Sequence, residues 1–66
     1  MKVLLRNPTR EIERPAPPTV GRLLDELGVV RESVLVIRND TLVTPDERLS
    51  EADVVEIRPV MSGGAL

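Results

Sequence analysis

A cluster of prolines constrains the fold more than any other stretch of the sequence. It reads Pro15-Ala16-Pro17-Pro18. Proline has no backbone N–H and a nearly fixed φ, so these residues cannot continue a strand ladder or lie inside a helix. The chain must therefore change direction here, and the sequences on either side belong to different elements.

Two short strands are predicted before the proline cluster. Residues 1–6 alternate, with Val3 and Leu5 on one face, which is typical of a half-buried strand. Asn7-Pro8 is a turn signal, and the mostly polar strand that follows has Ile12 as its single inward residue. Because the turn is so short, we expect the two strands to pair as an antiparallel hairpin at the edge of a sheet.

A helix is predicted to follow the prolines, with Thr19 as its N-cap and Gly28 as its C-terminal stop. Four apolar residues recur at the i, i+3, i+4 and i+7 positions of one helix face. They are Val20, Leu23, Leu24 and Leu27. Gly21 costs about 1 kcal/mol relative to alanine inside a helix. Either the first turn is weak, or its backbone packs close to the sheet.

Further strands are predicted after the helix. A β-branched run at 34–38 leads through Asn39-Asp40, a turn signal, into a short strand at 42–43. The last strand, 54–60, alternates apolar and charged residues. The order of elements predicts an α+β domain of the β-grasp (ubiquitin-like) type, in which one helix covers one face of a mixed four- to five-stranded sheet.

The composition excludes most catalytic chemistry. The 66 residues include no cysteine, histidine, tryptophan, tyrosine or phenylalanine. Disulfides, thiolate or imidazole metal sites, and Cys or His nucleophiles are therefore excluded. A domain this small has no room for a buried catalytic cavity. We expect a protein that is not an enzyme and that binds no metal or cofactor of its own.

The net charge and the hydropathy of the sequence limit the classes of partner that the chain can bind. The sequence has 9 basic and 11 acidic residues, giving a net charge of -2. This balance disfavours direct nucleic-acid binding. No apolar run approaches the about 20 residues that span a bilayer. Met1-Lys2 leads directly into a strand-like segment and not into a signal peptide. We expect a soluble cytoplasmic protein that contacts neither membrane nor nucleic acid.

Two pairs of carboxylates are the remaining catalytic candidates. Glu11 and Glu13 lie at strand spacing on one face, whereas Asp46 and Glu47 lie in a predicted loop. Nothing around either pair supplies a pocket that would shift the pKa values of its members. We therefore favour ordinary solvated side chains for both pairs.

The sequence ends in a segment with two adjacent glycines, Gly63-Gly64. Glycines carry no side chain, so after the last strand they make a thin strip that a narrow channel of another protein can admit. An ordinary frayed terminus is the alternative, and spacing alone leaves both open. We expect a folded domain over 1–61 and a flexible tail over 62–66.

The last strand and the tail together resemble those of ubiquitin-like sulfur carriers. In that family a leucine, a short acidic turn, a β-strand and a Gly-Gly end recur, as they do here at Leu49, 50–53, 54–57 and Gly63-Gly64. The helix and the third strand with its turn also match, so the resemblance covers essentially the whole chain. The family includes the thiamine sulfur carrier, the small subunit of molybdopterin synthase and the carrier for tRNA 2-thiolation. The last is nearest in appearance.

The resemblance implies a chemistry for the tail. In this family a ubiquitin-activating-type enzyme uses ATP to adenylate the terminal glycine carboxylate, and sulfur then replaces AMP to give a thiocarboxylate. Carried over, Gly64 bears the thiocarboxylate, while the residues before it thread the partner's channel. These are Met61, Ser62 and Gly63. The implied partners are the adenylating enzyme, a sulfur donor of the cysteine desulfurase or rhodanese type, and a sulfur-acceptor enzyme.

Ala65-Leu66 departs from the family pattern, because adenylation needs a free glycine carboxylate. The resemblance implies a precursor that is cleaved between Gly64 and Ala65, typically by a JAMM-type zinc metalloprotease. The alternatives are that the dipeptide is foreign to the natural sequence or that the function has been lost.

Two further questions stay open at this point. Leu4, Val34 and Val36, together with Arg58, are candidates for an exposed partner-binding patch like the corresponding face of ubiquitin. Ordinary half-buried sheet residues are the equal alternative. Two other functions also fit the same features: a protein modifier whose Gly64 is joined to target lysines, and a β-grasp interaction module with an inert tail.

Overall fold

The computed structural model describes residues 1–6 and 9–60 of the chain. Within these residues the chain forms five strands and one α-helix in the predicted order. They are β1 (Lys2–Leu5), β2 (Arg10–Glu13), α1 (Val20–Leu27), β3 (Val34–Arg38), β4 (Thr41–Val43) and β5 (Val54–Pro59). A 3-10 turn at Arg31–Ser33, which the sequence analysis did not predict, precedes β3.

The described strands form one mixed sheet in the order β2-β1-β5-β3-β4. β1 and β5 run parallel to each other, and the other neighbouring strands pair antiparallel. With α1 packed across one face, this is the β-grasp arrangement, and the predicted fold class is confirmed. β5 lies between β1 and β3, and it is paired with β1 as far as Ile57 and with β3 as far as Pro59.

The helix α1 begins and ends where its sequence signals predict. The hydroxyl of Thr19 accepts a hydrogen bond of 3.2 Å from the backbone N–H three residues on. Gly28 ends the helix in the left-handed conformation, with a φ of 72°. A Cβ at Gly21 would lie 2.7 Å from Nη2 of Arg31. The three atoms nearest to that Cβ all belong to the guanidinium of Arg31, which is the far end of a flexible side chain and can move aside, and none of them belongs to the sheet.

The core lies between α1 and the inner face of the sheet, and it is entirely aliphatic. Each fully buried Val or Leu side chain contributes about 1.5–3 kcal/mol of transfer free energy. The largest fully buried side chains are Val3, Val20, Leu23, Leu24 and Val55. These residues come from α1 and the two parallel strands, so the core is centred under β1 and β5.

The side chains of Val34 and Val36 in β3 lie on the inner face of the sheet. Val36 is 5% exposed and pairs in register with buried Ile57, and Val34 packs against the same core. Leu35 and Ile37 therefore occupy the other face. Residues 34–37 are all apolar, so alternation could not set the phase of the strand, and the register with β5 decides it. Of the two alternatives left open for Val34 and Val36, the structure has the half-buried or buried sheet residues and not the exposed patch.

Candidate functional site

The predicted reactive end lies outside the described residues. This applies to Met61, Ser62, Gly63, Gly64 and Ala65. The description ends at Val60, which directly follows β5 and whose N–H donates a hydrogen bond of 2.9 Å to the carbonyl of Ser33. Val60 is 38% exposed. The last described residue before the tail is thus fastened to the end of the sheet.

The face of the sheet opposite α1, here called the outer face, carries an apolar cluster. Among the described residues its members are Leu4, Leu35, Ile37, Leu42 and Val54. Three of them are exposed, Leu35 to 44%, Leu42 to 62% and Val54 to 39%, and the other two are half-buried. Of the predicted patch, Leu4 belongs to this cluster, and Val34 and Val36 do not.

Three charged residues form a triad on the outer face near the end of β5. One oxygen of Glu56, Oε2, accepts a hydrogen bond of 2.8 Å from Nε of Arg6 and one of 2.7 Å from Nε of Arg58. Within the described part of the chain, the terminal Nη groups of Arg58 have no hydrogen-bond partner, while Nη1 of Arg6 donates to Thr9 at 3.3 Å. Hydrogen bonds from Arg58 and then Arg6 lower the pKa of Glu56. The predicted patch residue Arg58 therefore lies on the outer face. Its Nε is bonded to Glu56, whereas its Nη groups have no hydrogen-bond partner among the described residues.

Two shallow depressions lie on either side of Glu56. The one nearer the end of β5 is cationic and is lined by Arg6, Leu35, Arg58 and Pro59. The other is lined by three apolar residues and three polar ones, namely Leu4, Ile37, Val54, Asn39, Asp40 and Glu56. On the outer face a cationic depression therefore lies beside a depression of mixed character.

A second carboxylate–arginine cluster lies at the start of β5, and the sequence analysis missed it. Asp53 is 5% exposed. Its carboxylate accepts hydrogen bonds from Nε of Arg38 and Nδ2 of Asn39, both 2.9 Å long. The N–H of Ser50 donates a third, at 2.8 Å. Burial raises the pKa of Asp53, but these hydrogen bonds and the Arg38 charge outweigh it and lower the pKa to about 2.

This second cluster holds the turn between β3 and β4. Asn39 and Asp40 have φ values of 50° and 71°, which a two-residue hairpin turn of this kind requires. The side chain of Asn39 bonds to Asp53, and its Oδ1 accepts from the N–H of Val54 at 3.0 Å. In the sequence, Asn39-Asp40 indicated the turn. Nothing local indicated that the side chain of Asn39 would bond to the carboxylate of Asp53.

The predicted carboxylate pairs are surface groups. Glu11 and Glu13 are exposed on β2, as expected for a solvated strand face. Asp46 is exposed, and Glu47 accepts a hydrogen bond of 2.8 Å from Arg38. In the part of the chain that the structure describes, no group of three or more His, Cys, Asp or Glu residues is placed to hold a metal ion. No helix in that part is long and apolar enough to cross a membrane.

The fold and the outer face define a class of protein: a small β-grasp domain whose central strand runs past an apolar and cationic surface toward a Gly-Gly segment. The sequence matches the ThiS family over residues 3–64. This chain belongs to the ThiS family. It is also 35% identical over 65 residues to the sulfur carrier protein TtuB of Thermus thermophilus, covering 97% of this chain and 100% of that protein. The predicted family resemblance is confirmed.

Proposed function

We propose that this chain is a sulfur carrier whose C-terminal carboxylate, on Gly64, is converted to a thiocarboxylate. The observation that carries the proposal is the family match, which spans almost the whole chain and ends at residue 64. The similarity to a sulfur carrier over the full length of both chains supports the same function. In this scheme the domain over 1–61 presents the tail over 62–66, and the chain is a co-substrate and not an enzyme.

The chemistry follows from the weakness of a carboxylate as an electrophile, since it is anionic and has no good leaving group. A carboxylate oxygen of Gly64 attacks the α-phosphorus of ATP held by the activating enzyme, and pyrophosphate leaves. The resulting acyl-adenylate has AMP as a good leaving group, so the terminal sulfur of a persulfide on the donor enzyme can attack the acyl carbon and displace AMP. A thiol then cleaves the S–S bond of the acyl disulfide that has formed, taking the donor's sulfur into a new disulfide and releasing the thiocarboxylate. The product stores sulfur as a nucleophile on a protein tether. Met61, Ser62 and Gly63 form that tether, and a side chain beside the reacting carbonyl would obstruct the partner's channel.

Ala65-Leu66 must be removed for this chemistry to occur, because in the 66-residue chain the carbonyl of Gly64 is part of a peptide bond. We propose cleavage between Gly64 and Ala65 by a protease of the JAMM type. The end of the family match at residue 64 supports this position.

The partners are an ATP-dependent adenylating enzyme, a sulfur donor of the cysteine desulfurase or rhodanese type, and a sulfur-acceptor enzyme. ATP is bound by the partner and not by this chain. Similarity to TtuB favours tRNA thiolation as the destination of the sulfur over thiamine or molybdopterin biosynthesis. We place these reactions in the cytoplasm, where ATP and tRNA are found together.

Intact-mass measurement tests the proposal. The Gly64-terminated chain is incubated with the activating enzyme of the same organism, ATP and a sulfur donor. We expect a mass increase equal to the exchange of one oxygen for one sulfur. A chain ending at Gly63 is a demanding control, since it keeps a free glycine carboxylate but shortens the tether by one residue, and it should remain unmodified.

The same measurement separates the competing functions. Adducts in which Gly64 is joined to lysines of other proteins, without the sulfur exchange, would assign the chain as a protein modifier. An unchanged mass under conditions in which a characterised carrier is converted would leave the chain as an interaction module and would overturn the proposal. Loss of the mass of Ala65-Leu66 on incubation with the protease tests the cleavage step separately.

A further inference from the structure

We propose that the side chain of Met61 is seated in an apolar depression on the inner face of the sheet, so that the free part of the tail begins at Ser62. The occupant is a segment of this chain itself, and the seat fixes the point from which the reactive end extends. This inference rests on the proposed function and divides its tether into a fastened root and three free residues.

The depression lies where the core opens at the end of β5. Its volume is about 390 Å³, and five of the seven described residues that line it are apolar. They are Leu5, Val29, Val34, Ile57 and Pro59. The first three are only partly buried although they pack against the core. A further apolar side chain placed here would extend the core and would itself be removed from water.

The alternation of side chains along β5 directs Met61 toward this depression. Ile57 is buried on the inner face, and Pro59 pairs in register with Val34, which packs against the core. Successive side chains of an extended strand lie on opposite faces, so inner residues recur at every second position. The N–H of Val60 donates to the segment that precedes β3, which carries the pairing one residue past the strand. The next inner position is Met61.

Met61 is the only residue in the tail of the Gly64-terminated form whose apolar side chain is long enough to enter the depression. It is followed by Ser62, Gly63 and Gly64, and Leu66 is absent from that form. Methionine is unbranched and has three rotatable bonds, so it fits irregular apolar gaps. The tail thus carries one side chain suited to the seat, at the position that the strand directs to it.

A seated Met61 defines where the tether starts and how far it reaches. The three residues 62–64 then remain free, and they span at most roughly 11 Å when fully extended, compared with roughly 14 Å for four residues. A residue that is fixed before the enzyme binds need not be ordered during binding, so the seat lowers the entropic cost of admitting the tail. Met61 is therefore a positioning residue, which acts through the residues that follow it.

Methionine methyl NMR tests the seat directly, because the chain has only two methionines. The Gly64-terminated chain is isotopically labelled at its methionine methyl groups. We expect NOEs from the methyl group of Met61 to the methyl groups of Leu5 and Val29. Met1 is 7% exposed and belongs to the core, so it is the buried reference in the same spectrum. A Met61 methyl group without these contacts would overturn the proposal.

Oxidation by hydrogen peroxide measures how much of the time the seat is filled, because the sulfur of Met61 reacts when it is exposed. We expect the sulfoxide to form at Met61 about fivefold more slowly in the folded chain than in the urea-unfolded chain, since a seated side chain reacts only after local opening. Peptide mapping by mass spectrometry assigns the sulfoxide to its residue. Equal rates in the two states would contradict the seat.

Variants of the Gly64-terminated chain test the positioning role. Met61→Ala empties the seat, Val29→Ala removes part of its wall, and Val30→Ala shortens a neighbouring side chain that is 63% exposed and does not line the depression. ATP–pyrophosphate exchange is measured over a range of carrier concentrations. We expect Met61→Ala and Val29→Ala each to raise the KM for the carrier about fivefold with an unchanged kcat, and Val30→Ala to change KM by less than about twofold. Met61→Leu should keep KM within about twofold of the wild type, because leucine also fills an apolar seat.

The double variant separates a seat within the chain from a contact with the enzyme. If Met61 acts through the seat, combining Met61→Ala with Val29→Ala raises KM no further than either change alone, because both remove the same interaction. Effects that multiply would assign Met61 to a direct contact with the enzyme and would overturn the inference. Thermal unfolding of each variant checks that it is folded at the assay temperature.

The outcomes distinguish this inference from the function on which it rests. If the wild-type chain is not adenylated, the proposed function fails and the positioning role fails with it, whatever the methyl groups contact. If the chain is adenylated and the Met61 methyl group lacks its contacts with Leu5 and Val29, the function stands and the seat is wrong. Occupation of the depression by a second copy of the chain, recognised by its dependence on concentration, or by Leu66 in the 66-residue form would likewise overturn the inference.

Discussion

Two carboxylates bonded to arginine lie along β5, Asp53 just before its first residue and Glu56 in its middle, and the two clusters differ in burial. At the start of the strand, Asp53 is 5% exposed and its carboxylate is shared among a guanidinium, an amide and a backbone N–H. Within the strand, Glu56 is 18% exposed and lies between Arg6 and Arg58, whose side chains are 38% and 52% exposed. The same pair of chemical groups is more enclosed around Asp53 than around Glu56.

This difference assigns the clusters different roles. A buried carboxylate that loses its partners is costly, so the Asp53 cluster fixes the β3–β4 turn against β5 and belongs to the fold. Exposed ion pairs contribute little to stability, because water and salt compete for them. The ion pairs of Arg6, Glu56 and Arg58 can therefore be broken at little cost to the stability of the fold.

Replacing Asp53 should have the largest effect on stability. Asp53→Ala leaves Arg38 and Asn39 without their shared acceptor, and we expect the free energy of unfolding to fall by about 3 kcal/mol. Urea denaturation measures it. A matched variant, Glu56→Ala, removes the carboxylate in the middle of β5 and should shift the urea midpoint much less. Equal shifts for the two variants would contradict the distinction between the clusters.

The pH dependence of stability should reveal the Asp53 cluster at low pH. The pKa of Asp53 is lowered from 3.8 to about 2 in the folded protein. A lowered folded-state pKa gives stabilisation that is fully present above the unfolded value and is lost as pH falls through the folded value. We expect the gap in urea midpoint between the wild type and Asp53→Asn to be constant above about pH 4 and to close toward pH 2. A gap that does not change over this range would contradict the hydrogen-bonded, ionised state of Asp53.

The smallest effect is expected for Glu56→Gln. An amide keeps the shape of the side chain and one acceptor oxygen for Arg6 or Arg58, but it removes the charge that holds both. The thermal midpoint should change little, while the salt dependence of carrier binding to the activating enzyme should increase, because the face becomes more positive. A large loss of stability with unchanged binding would reverse the roles given to the two clusters.

The sequence predicted elements well where it carried contrasting residue types. β5 alternates apolar and charged side chains, so the inward placement of Val55 and Ile57 could be inferred and is confirmed. Thr19 and Gly28 supplied specific capping chemistry, and the helix bounds followed. The proline cluster separated the hairpin from the helix, and with the remaining turn signals it was enough to predict the β-grasp order.

The sequence did not determine features that depend on register or long-range contacts. In β3 every candidate position is apolar, so the choice between Val36 and Ile37 as the inward residue depended on pairing with β5. The Asp53 cluster joins residues 15 positions apart, and the triad brings Arg6 to Glu56 across 50 positions. No local sequence pattern indicates either cluster. The predicted role of Gly64 came from the family resemblance, and it stays a prediction.

ATP–pyrophosphate exchange with two forms of the chain tests the role of Gly64 most directly. The form ending at Gly64 and the 66-residue form share every described residue and differ only in Ala65-Leu66. Incubated with the activating enzyme, the Gly64-terminated form should support exchange, and the 66-residue form should not, because its glycine carboxylate is blocked. Exchange at equal rates with both forms, or with neither, would contradict the assignment of Gly64 as the activated end.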